Sequence, residues 1–336
     1  MLKDLNMWST KLKDGLQLAH DFIYKNKSKI PTQIKKIIFV GMGGSGISGR
    51  IIKTFLDKES KIPSFVIDSP DLPEYIDTDT LAIVISYSGN TWETIDALEK
   101  LVENFIPTII IAHGGKAALI AESKNIPFIL VPTSAQPRAA LGHFLGIILG
   151  IFDLLGILPN GQDTIKKFGH FADLHVPKLE DKAFFNDFLD IVNDYEFFHI
   201  WGVSGDSAGF AYRAQTQFNE NSKVQAVMSN FPECCHNLLV GFTNCQTKPL
   251  VLFFYTDFLT SHLNIALKST CELLKEQGVI LYKLPVLGDT WKEQLFYMIL
   301  WSDFASYYLG QKRGVQIAEV ELINKLKEKH KQNGIK

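Results

Sequence analysis

The sequence predicts an α/β protein with two doubly wound, mostly parallel sheets and a helix near each end of the chain. Short apolar runs alternate with helical patterns in both halves, which is typical of parallel strands covered by helices on both faces. In each half the first strand enters a Gly/Ser turn, "IIFVGMGGSG" and "FHIWGVSGDS". A chain of 336 residues also suits two domains better than one. We therefore predict an internal duplication of one α/β unit.

The N-terminal half is expected to begin with a helix near residues 5–25, followed by the apolar run at 37–40. Further apolar runs stand at 64–68, 81–86, 108–112 and 126–131, and most are separated by helical patterns. Runs rich in β-branched residues predict buried strands. A long helix from about residue 138 to residue 155 closes this half, which we predict as a first domain at 1–158.

Residues 159–182 contain Pro, Gly and many charged residues, and they predict a connection between the domains with room for a helix of its own. The second domain is predicted at 183–336. Its strands are expected in "FFHIWGVSG", "KPLVLFFYT" and "GVILYKLPV", its helices at 260–276 and 290–309, and a further helix in the tail. This order repeats the alternation of the first domain.

The composition bounds the partners of the protein. The chain is 46% hydrophobic and 21% charged, with a formal net charge of −2, so no global positive field attracts nucleic acid or an anionic membrane. The longest apolar stretch, "LGHFLGIILGIFDLLGIL", is interrupted by Gly and His and favours a buried helix over a membrane span. The polar N-terminus "MLKDLNMWSTKLKDGL" is unlike a signal peptide. We therefore expect a cytoplasmic protein that binds neither nucleic acid nor membrane.

Four cysteines lie in the second half: Cys234, Cys235, Cys245 and Cys271. They suggest no disulfide framework in a chain of this length, and a reducing compartment fits them. Zinc binding by Cys234, Cys235 and His236 is the alternative. Adjacent residues seldom aim at one tetrahedral ion, however, and the C-x₂₋₄-C spacing is absent. No metal is predicted.

The turn "GMGGSG" at 41–46 allows two interpretations. Its glycines fit the G-x-G-x-x-G fingerprint of dinucleotide-binding folds. In that fingerprint an acidic residue about 20 positions later binds the ribose, and Asp68 stands at about that position. By spacing alone this favours a nicotinamide-dependent oxidoreductase. The other interpretation is a turn that faces the single phosphate of a sugar.

A second Gly/Ser cluster, "ISYSGNTWET" at 85–94, favours the sugar phosphate. It follows a predicted strand and precedes an amphipathic helix, so that Ser86, Ser88 and Thr91 surround a helix N-terminus. Hydroxyls and backbone N–H groups converging there suit one compact dianion. Helix capping is the alternative, but it accounts for one hydroxyl rather than three. No cofactor is predicted.

These motifs carry a family resemblance. "GMGGSGISG" with "SYSGNTWET" resembles the sugar isomerase (SIS) domain, and the chain as a whole resembles the bifunctional phosphoglucose/phosphomannose isomerase family, which has two such domains. The likeness continues in order through "PRAALGHFLG", "QFNENSK", "PECCHNLLVGF" and "SYYLGQKRGVQIAEVELINKLK". It implies metal-independent aldose–ketose isomerisation of a hexose 6-phosphate, between fructose 6-phosphate and glucose 6-phosphate, with mannose 6-phosphate as a second aldose.

The resemblance implies a phosphate anchor and a proton-transfer site. The anchor is the same cluster of hydroxyls, and Gly44 and Ser45 of the first turn line the same pocket. Glu220 matches the family's catalytic base, which carries a proton between C1 and C2 of the sugar. Arg138 matches an arginine that stabilises the negative charge of the cis-enediol(ate) intermediate. From the residues alone, a surface glutamate late in a helix is the better interpretation of Glu220, and capping of the helix start after Pro137 is an alternative role for Arg138.

Two further roles follow from the resemblance alone. His236 matches the histidine that assists ring opening, and in this superfamily that histidine comes from the partner subunit. This implies a homodimer with its active site at the subunit interface. Lys327 matches a lysine near the sugar ring, although a lysine-rich terminal helix is usually a solvated face.

The sequence departs from the family pattern at two places. Leu238 stands where the family has an acidic residue after the histidine, and Gln316–Ile317 stand where it favours Asp–Pro before the last helix. The first change bears on the placement of His236, and the second on the placement of Lys327. Neither touches Glu220 or the hydroxyl cluster.

Three other functions stay open at this stage. They are an isomerase of another phosphosugar, a non-catalytic phosphosugar-binding protein, and the oxidoreductase that uses residues 41–46 and Asp68. The joint presence of Arg138, Glu220 and His236 favours an enzyme, because a binding protein needs only the anchor.

Overall fold

Two parallel sheets organise the chain, and the computed structural model describes residues 1–243 and 245–334 of it. Sheet A has the strand order β2-β1-β3-β4-β5 and sheet B the order β7-β6-β8-β9. Every neighbouring pair in these two sheets is parallel. The first strand of each half is therefore central and lies between the second and the third, as expected for a duplicated unit.

The strands of sheet A are β1 (Lys36–Val40), β2 (Ser64–Ile67), β3 (Thr80–Ser86), β4 (Thr108–Ala112) and β5 (Phe128–Leu130). Those of sheet B are β6 (Phe197–Val203), β7 (Gln225–Phe231), β8 (Leu250–Phe254) and β9 (Ile280–Lys283). The predicted fold class is thereby confirmed.

Helices surround both sheets. In the N-terminal half they are α1 (Leu2–Leu5), α2 (Trp8–Asn26), α3 (Gly43–Glu59), α4 (Trp92–Glu103), α5 (Gly115–Lys124) and α6 (Leu141–Leu154). In the C-terminal half they are α7 (Gly161–Leu179), α8 (Asn186–Val192), α9 (Ala208–Gln217), α10 (Ser261–Glu276), α11 (Trp291–Lys312) and α12 (Glu321–Gln332).

Alternate residues of each strand face different hydrophobic cores, as the period of two requires. Ile37 and Phe39 of β1 point into a large central core, while Ile38 and Val40 point to an outer core covered by α4 and α5. The central core also takes one face of sheet B and the apolar residues of α2, α6, α7 and α11. These four helices therefore form a layer that both sheets share.

Helix α6 explains the longest apolar stretch of the sequence. The segment Pro137–Leu154 is long and apolar enough to cross a membrane, but 83% of it is buried inside the fold. Glycines let α6 approach α2 closely: a Cβ at Gly146 would stand 2.5 Å from the Leu12 carbonyl oxygen. The helix predicted near 138–155 is thus a core helix, which a 3₁₀ turn at Pro137–Ala140 precedes.

The structure adds detail to two other predictions. Helix α7 lies in the predicted connection at 159–182, and its Phe168 stacks on Phe296 of α11 with ring centroids 4.3 Å apart. The domain limits at 158 and 183 remain predictions. Strand β7 is missing from the predicted strands, since it is an edge strand with mixed exposure, and Val227 within it is 45% exposed.

Candidate active site

The two Gly/Ser turns meet at the carboxyl ends of neighbouring strands. Residues 41–46 follow β1, residues 86–91 begin at the last residue of β3, and the two strands pair from Lys36–Thr80 to Val40–Val84. Helix α3 starts at Gly43, within the first of these segments, and α4 starts at Trp92, directly after the second. In open α/β sheets the crevice where the strand order reverses is the usual binding site, and the order β2-β1-β3 puts that crevice between these turns.

Hydrogen bonds join the two turns. The backbone N–H of Tyr87 donates to Ser45 Oγ at 3.0 Å, and the hydroxyls of Ser86 and Thr91 are 3.5 Å apart. Ser88 Oγ accepts from the N–H of Asn90 at 3.2 Å. Ser45 and Ser86 are buried, whereas Ser88 is exposed. The structure therefore brings the predicted hydroxyl cluster together, with a buried floor and an open rim.

Thr91 is the N-cap residue of α4, but its side chain makes no capping hydrogen bond to the helix. Its hydroxyl instead lies beside that of Ser86. Capping thus leaves the position of this hydroxyl unexplained. Because a helix N-terminus presents N–H groups and a positive dipole end, α4 and the neighbouring hydroxyls together favour an anion.

Arg138 lies in the 3₁₀ turn at Pro137–Ala140, with only 2% of its side chain exposed. Its Nε donates to Asn221 Oδ1, its Nη1 to Glu220 Oε2 and its Nη2 to the Ile317 carbonyl oxygen, each at 2.9 Å. Burial lowers the pKa of Arg138, and the negative charge of Glu220 opposes that shift. A guanidinium has five N–H groups, so two are left beyond these three contacts.

The first turn touches the backbone of Arg138. A Cβ built at Gly44 would stand 3.1 Å from both the Cα and the N atom of Arg138. This is closer than most real Cβ contacts, so only a glycine allows the approach without a shift of Arg138. The hydroxyl cluster and the Arg138–Glu220 pair are therefore parts of one continuous site.

Glu220 lies in a π-helical turn, Phe218–Ser222, that continues α9 before β7 begins. Single π-helical turns are frequent at functional sites. The Glu220 side chain is 23% exposed, so it is reachable from solvent while its Oε2 is paired with Arg138. Its backbone carbonyl accepts from Lys223 Nζ, which also reaches the carbonyl of Glu319. These contacts hold both the side chain and the backbone carbonyl of Glu220.

A buried ion pair supports Arg138 from below. Arg213 of α9 and Asp303 of α11 are each 1% exposed and 2.9 Å apart. Arg213 Nη2 also donates to the Arg138 carbonyl oxygen at 2.9 Å, and Gln217 donates to Asp303. Burial raises the pKa of Asp303, and the charge of Arg213 opposes the rise. Arg213, Gln217 and Asp303 are absent from the predicted site, although an Asp within the apolar run "FYMILWSDFASYY" is a sequence signal of a buried charge.

His236 and Glu220 lie at opposite ends of strand β7 in sheet B. Glu220 precedes β7, while His236 ends the 3₁₀ turn Glu233–His236 after it, and its side chain is exposed. The seven residues of β7 span about 20 Å at roughly 3.3 Å per residue. The structure therefore does not bring His236 to Glu220 of the same chain. Leu238, the first departure from the family, packs against the outer core of sheet B.

Lys327 lies on α12, which has no buried residue. His330, one turn later, places its ring edge-on to Trp92 of α4, with centroids 6.3 Å apart. The terminal helix therefore lies beside the helix that Thr91 begins. Ile317, in the second departure from the family, still contacts Arg138 through its carbonyl.

The structure weakens the dinucleotide interpretation. Dinucleotide-binding folds use the strand order 3-2-1-4, whereas here β3 lies directly beside β1. Asp68 forms an ion pair with Arg50 at 2.5 Å. As for the zinc alternative, no group of three metal-ligating side chains within residues 1–243 and 245–334 is arranged to hold an ion.

The second sheet has its own version of the first turn. After β6, Asp206 is 4% exposed, and its carboxylate accepts from Lys58 Nζ at 3.1 Å and from Thr256 Oγ1 at 3.0 Å. The Asp206 carboxylate thus lies in the turn after β6, which corresponds to the turn at 41–46 after β1. Two cavities of about 490 and 520 Å³ lie elsewhere, between α7 and the start of α11.

Comparison with known families defines the class of protein first. The profile described as "SIS domain" matches residues 32–140, and the one described as "Bacterial phospho-glucose isomerase C-terminal SIS domain" matches residues 190–329. The chain is therefore a protein of two SIS domains. A tagatose-6-phosphate ketose/aldose isomerase structure from Escherichia coli has the same fold, with a TM-score of 0.69 at 18% identity, covering 94% of this chain and 92% of that one.

A curated relative then defines the family. The bifunctional phosphoglucose/phosphomannose isomerase of Thermoplasma volcanium is 32% identical, over 94% of this chain and 97% of that protein. A D-glucosamine-6-phosphate 4-epimerase of Sulfolobus acidocaldarius is 26% identical, over 88% and 89%. The chain belongs to the bifunctional phosphoglucose/phosphomannose isomerase family, and the predicted isomerase class is confirmed.

Proposed function

We propose that the protein is a metal-independent aldose–ketose isomerase that interconverts fructose 6-phosphate with glucose 6-phosphate and mannose 6-phosphate. The observation that carries the proposal is the Arg138–Glu220 pair, 2.9 Å apart, beside two turns suited to a phosphate. Family membership supports the same chemistry. This reaction needs an anchor, a base and a fixed positive charge, and the site contains a candidate for each.

The phosphate of the substrate binds between the two turns. The hydroxyls of Ser45, Ser86, Ser88 and Thr91 and the N-terminus of α4 donate to its oxygens, and Gly44 leaves room beside them. This binding energy is remote from the reacting carbons, and it positions C1 and C2 at the other end of the pocket.

Glu220 transfers the proton between C1 and C2. Its carboxylate is partly exposed and is held by Arg138, so one oxygen is oriented while the other faces the sugar. Return of the proton to one face of C2 of the planar cis-enediol(ate) gives glucose 6-phosphate and return to the opposite face gives mannose 6-phosphate, so both aldoses form when Glu220 reaches both faces.

Arg138 supplies the positive charge. As the proton leaves the sugar, negative charge develops on the oxygens at C1 and C2, and the free N–H groups of a buried guanidinium stabilise it strongly. Because Asn221, Glu220 and Ile317 already hold the guanidinium, little reorganisation accompanies the reaction.

His236 assists ring opening from a second copy of the chain. Its separation from Glu220 across β7, by about 20 Å, supports a homodimer in which each site takes His236 from its partner. An imidazole accepts a proton at one ring nitrogen and donates one from the other, so it can move a proton between the ring oxygen and the C1 hydroxyl. Lys327, beside α4 on the terminal helix, contacts the sugar ring.

Four free cysteines support a reducing, cytoplasmic location.

The test is a discontinuous assay of the purified protein with fructose 6-phosphate in the presence of EDTA, with the sugar phosphates separated by chromatography. We expect both glucose 6-phosphate and mannose 6-phosphate, and no loss of rate after chelation. Nicotinamide cofactors should neither bind nor be reduced.

Other results identify the alternatives. Turnover of glucosamine 6-phosphate alone would match the chemistry named for the Sulfolobus relative and would replace the proposal. Tight phosphosugar binding without turnover of any sugar would make the chain a binding protein. Glucose 6-phosphate as the single product would retain the mechanism and remove the second aldose.

A further inference from the structure

Tyr87 stands between two of the predicted phosphate ligands, Ser86 and Ser88. Its backbone contacts the first Gly/Ser turn, whereas its side chain contacts His113 and a third segment of the chain. The backbone N–H donates to Ser45 Oγ at 3.0 Å, so it belongs to the junction of the two turns. The ring stacks on His113 with centroids 5.3 Å apart and planes 7° from parallel. The hydroxyl continues beyond His113 to a third segment.

That third segment is held by the Tyr87 hydroxyl. The hydroxyl donates to the Ser134 carbonyl oxygen at 3.1 Å and accepts from the Ser134 N–H at 2.6 Å. The Tyr87 hydroxyl therefore satisfies both the N–H and the carbonyl oxygen of Ser134, as a neighbouring strand would in a sheet. Residues 132–136 have no helix or strand of their own and are mostly exposed.

The segment leads directly to Arg138. It leaves sheet A after Val131, whose N–H donates to the Ala112 carbonyl and whose own carbonyl bonds His113 Nδ1 at 2.7 Å. The 3₁₀ turn that carries Arg138 starts at Pro137. Between these points the described side-chain hydrogen bonds to the backbone of the segment are those from Tyr87 at Ser134. Thr133 Oγ1 of the segment also lies 3.5 Å from His113 Nε2, and Arg213 holds the Arg138 carbonyl oxygen. The tether is therefore one of several contacts that position the arginine.

We propose that Tyr87 is a positioning residue, whose hydroxyl fixes the approach of the chain to Arg138 and so couples the phosphate turn to the proton-transfer site. The inference rests on the proposed isomerase function. In this arrangement the phosphate of the substrate and the guanidinium share one rigid connection, so that an ordered phosphate turn also orders the group that stabilises the intermediate.

Tyr87→Phe isolates the tether, because it keeps the ring stack on His113 and removes both bonds to Ser134. The matched control is Tyr75→Phe, since Tyr75 lies in the same domain and its hydroxyl makes no hydrogen bond to the described residues. Two measurements follow: amide hydrogen exchange of peptides covering 131–140, and steady-state kinetics with inorganic phosphate as a competitive inhibitor.

In Tyr87→Phe we expect faster exchange within 131–140 and unchanged exchange in β3. We also expect kcat to fall about tenfold, the size usual for loss of well-placed hydrogen bonds that act in the transition state, while the inhibition constant of phosphate changes less than about twofold. The control should match the wild-type protein in both measurements.

Unchanged exchange at 131–140 would overturn the inference, and so would a wild-type kcat. A fall in phosphate affinity equal to the fall in kcat would overturn it as well, since Tyr87 would then act through the phosphate turn itself. The exchange measurement needs no turnover. An inactive wild-type protein would therefore contradict the proposed isomerase, while the exchange data would still decide on the tether.

Discussion

Arg138 and Glu220 are 82 positions apart in the chain, and their side chains form an ion pair of 2.9 Å at the boundary between the two SIS domains. Arg138 belongs to the end of the first domain and Glu220 to a π-helical turn of the second. Because one partner is buried and the other is partly exposed, the pair presents a held carboxylate to the crevice.

Replacing Glu220 by Gln should remove the base and keep the shape of the site. Proton transfer by a positioned side chain contributes about 10²–10⁴-fold to the rate, so kcat should fall within that range. The dissociation constant of fructose 6-phosphate should change little, because the phosphate turns stay intact. Stopped assays and calorimetric titration measure the two quantities. Glu319→Gln is the control, as Glu319 is exposed and close in the chain to Ile317; equal turnover in both variants would remove Glu220 from the mechanism.

A mixture of two inactive variants should recover activity if His236 acts in the partner's site. Glu220→Gln and His236→Asn are each expected to be nearly inactive. When they are co-expressed in equal amounts, about half of the dimers are mixed, and each mixed dimer has one intact site. The specific activity should therefore reach about a quarter of the wild-type value.

Purified mixed dimers, selected with two affinity tags, give the sharpest form of this measurement. They should have half of the wild-type activity per dimer, while each parent variant stays inactive. Mixed dimers without activity would mean that both residues act within one chain, whereas an active His236→Asn parent would mean that His236 has no catalytic role.

Gly44→Ala should disturb the arginine from the side of the phosphate turn. The new Cβ would stand 3.1 Å from the Arg138 backbone, so the backbone must shift by a few tenths of an ångström. Small misplacements of catalytic groups reduce kcat strongly, and we expect a loss of about tenfold with an unchanged melting temperature. Gly241→Ala is the control, because a Cβ there meets no atom of residues 1–243 and 245–334 within 4 Å. Wild-type kcat in Gly44→Ala would show that the contact is not needed.

Stability should fall below pH 6.5 through His143, a buried residue of α6. Burial first, and then the positive charge of Lys11, lower the pKa of His143 to about 4, and Asp14 and Asp4 oppose the shift. Between about pH 4 and 6.5 the unfolded chain binds a proton here that the folded chain does not, so stability rises with pH through this range. From pH 7 to pH 5 the loss should be about 2 kcal/mol.

Urea unfolding of the wild-type protein and of His143→Gln at both pH values measures this loss. The variant should lack that part of the pH dependence, whatever its stability at pH 7. His262→Gln, at an exposed position, should keep the wild-type dependence. A variant with the wild-type slope would assign the loss to other groups.

The fold and the phosphate turns were predictable because their signals are local. A strand, a Gly/Ser turn and a helix stand next to one another in the sequence, and the order of two parallel strands brings the turns together. The Arg138–Glu220 pair could not be derived in this way, because it depends on how α9 and the 3₁₀ turn meet across a domain boundary. The resemblance to the family named both residues, and local patterns gave neither a role.

Strand β7 shows a different limit of the sequence. An edge strand buries only one face and part of its length, so its apolar residues are few and irregularly spaced. Without β7 the positions of Glu220 and His236 relative to each other could not be known. Glu220 and His236 are sixteen positions apart in the chain, and β7 places them at opposite ends of the strands of sheet B.

The buried carboxylate of Asp206 makes the two halves of the duplicated architecture unequal as anion-binding sites. In the second half, the turn after the central strand already contains an anion that belongs to the protein itself and is neutralised by Lys58. The corresponding turn of the first half, residues 41–46, contains no acidic residue, so we expect an external anion to bind in the first half and not in the second. Each chain should accordingly bind a single phosphosugar, with a simple hyperbolic isotherm in a calorimetric titration, and a binding ratio of two per chain would contradict this view.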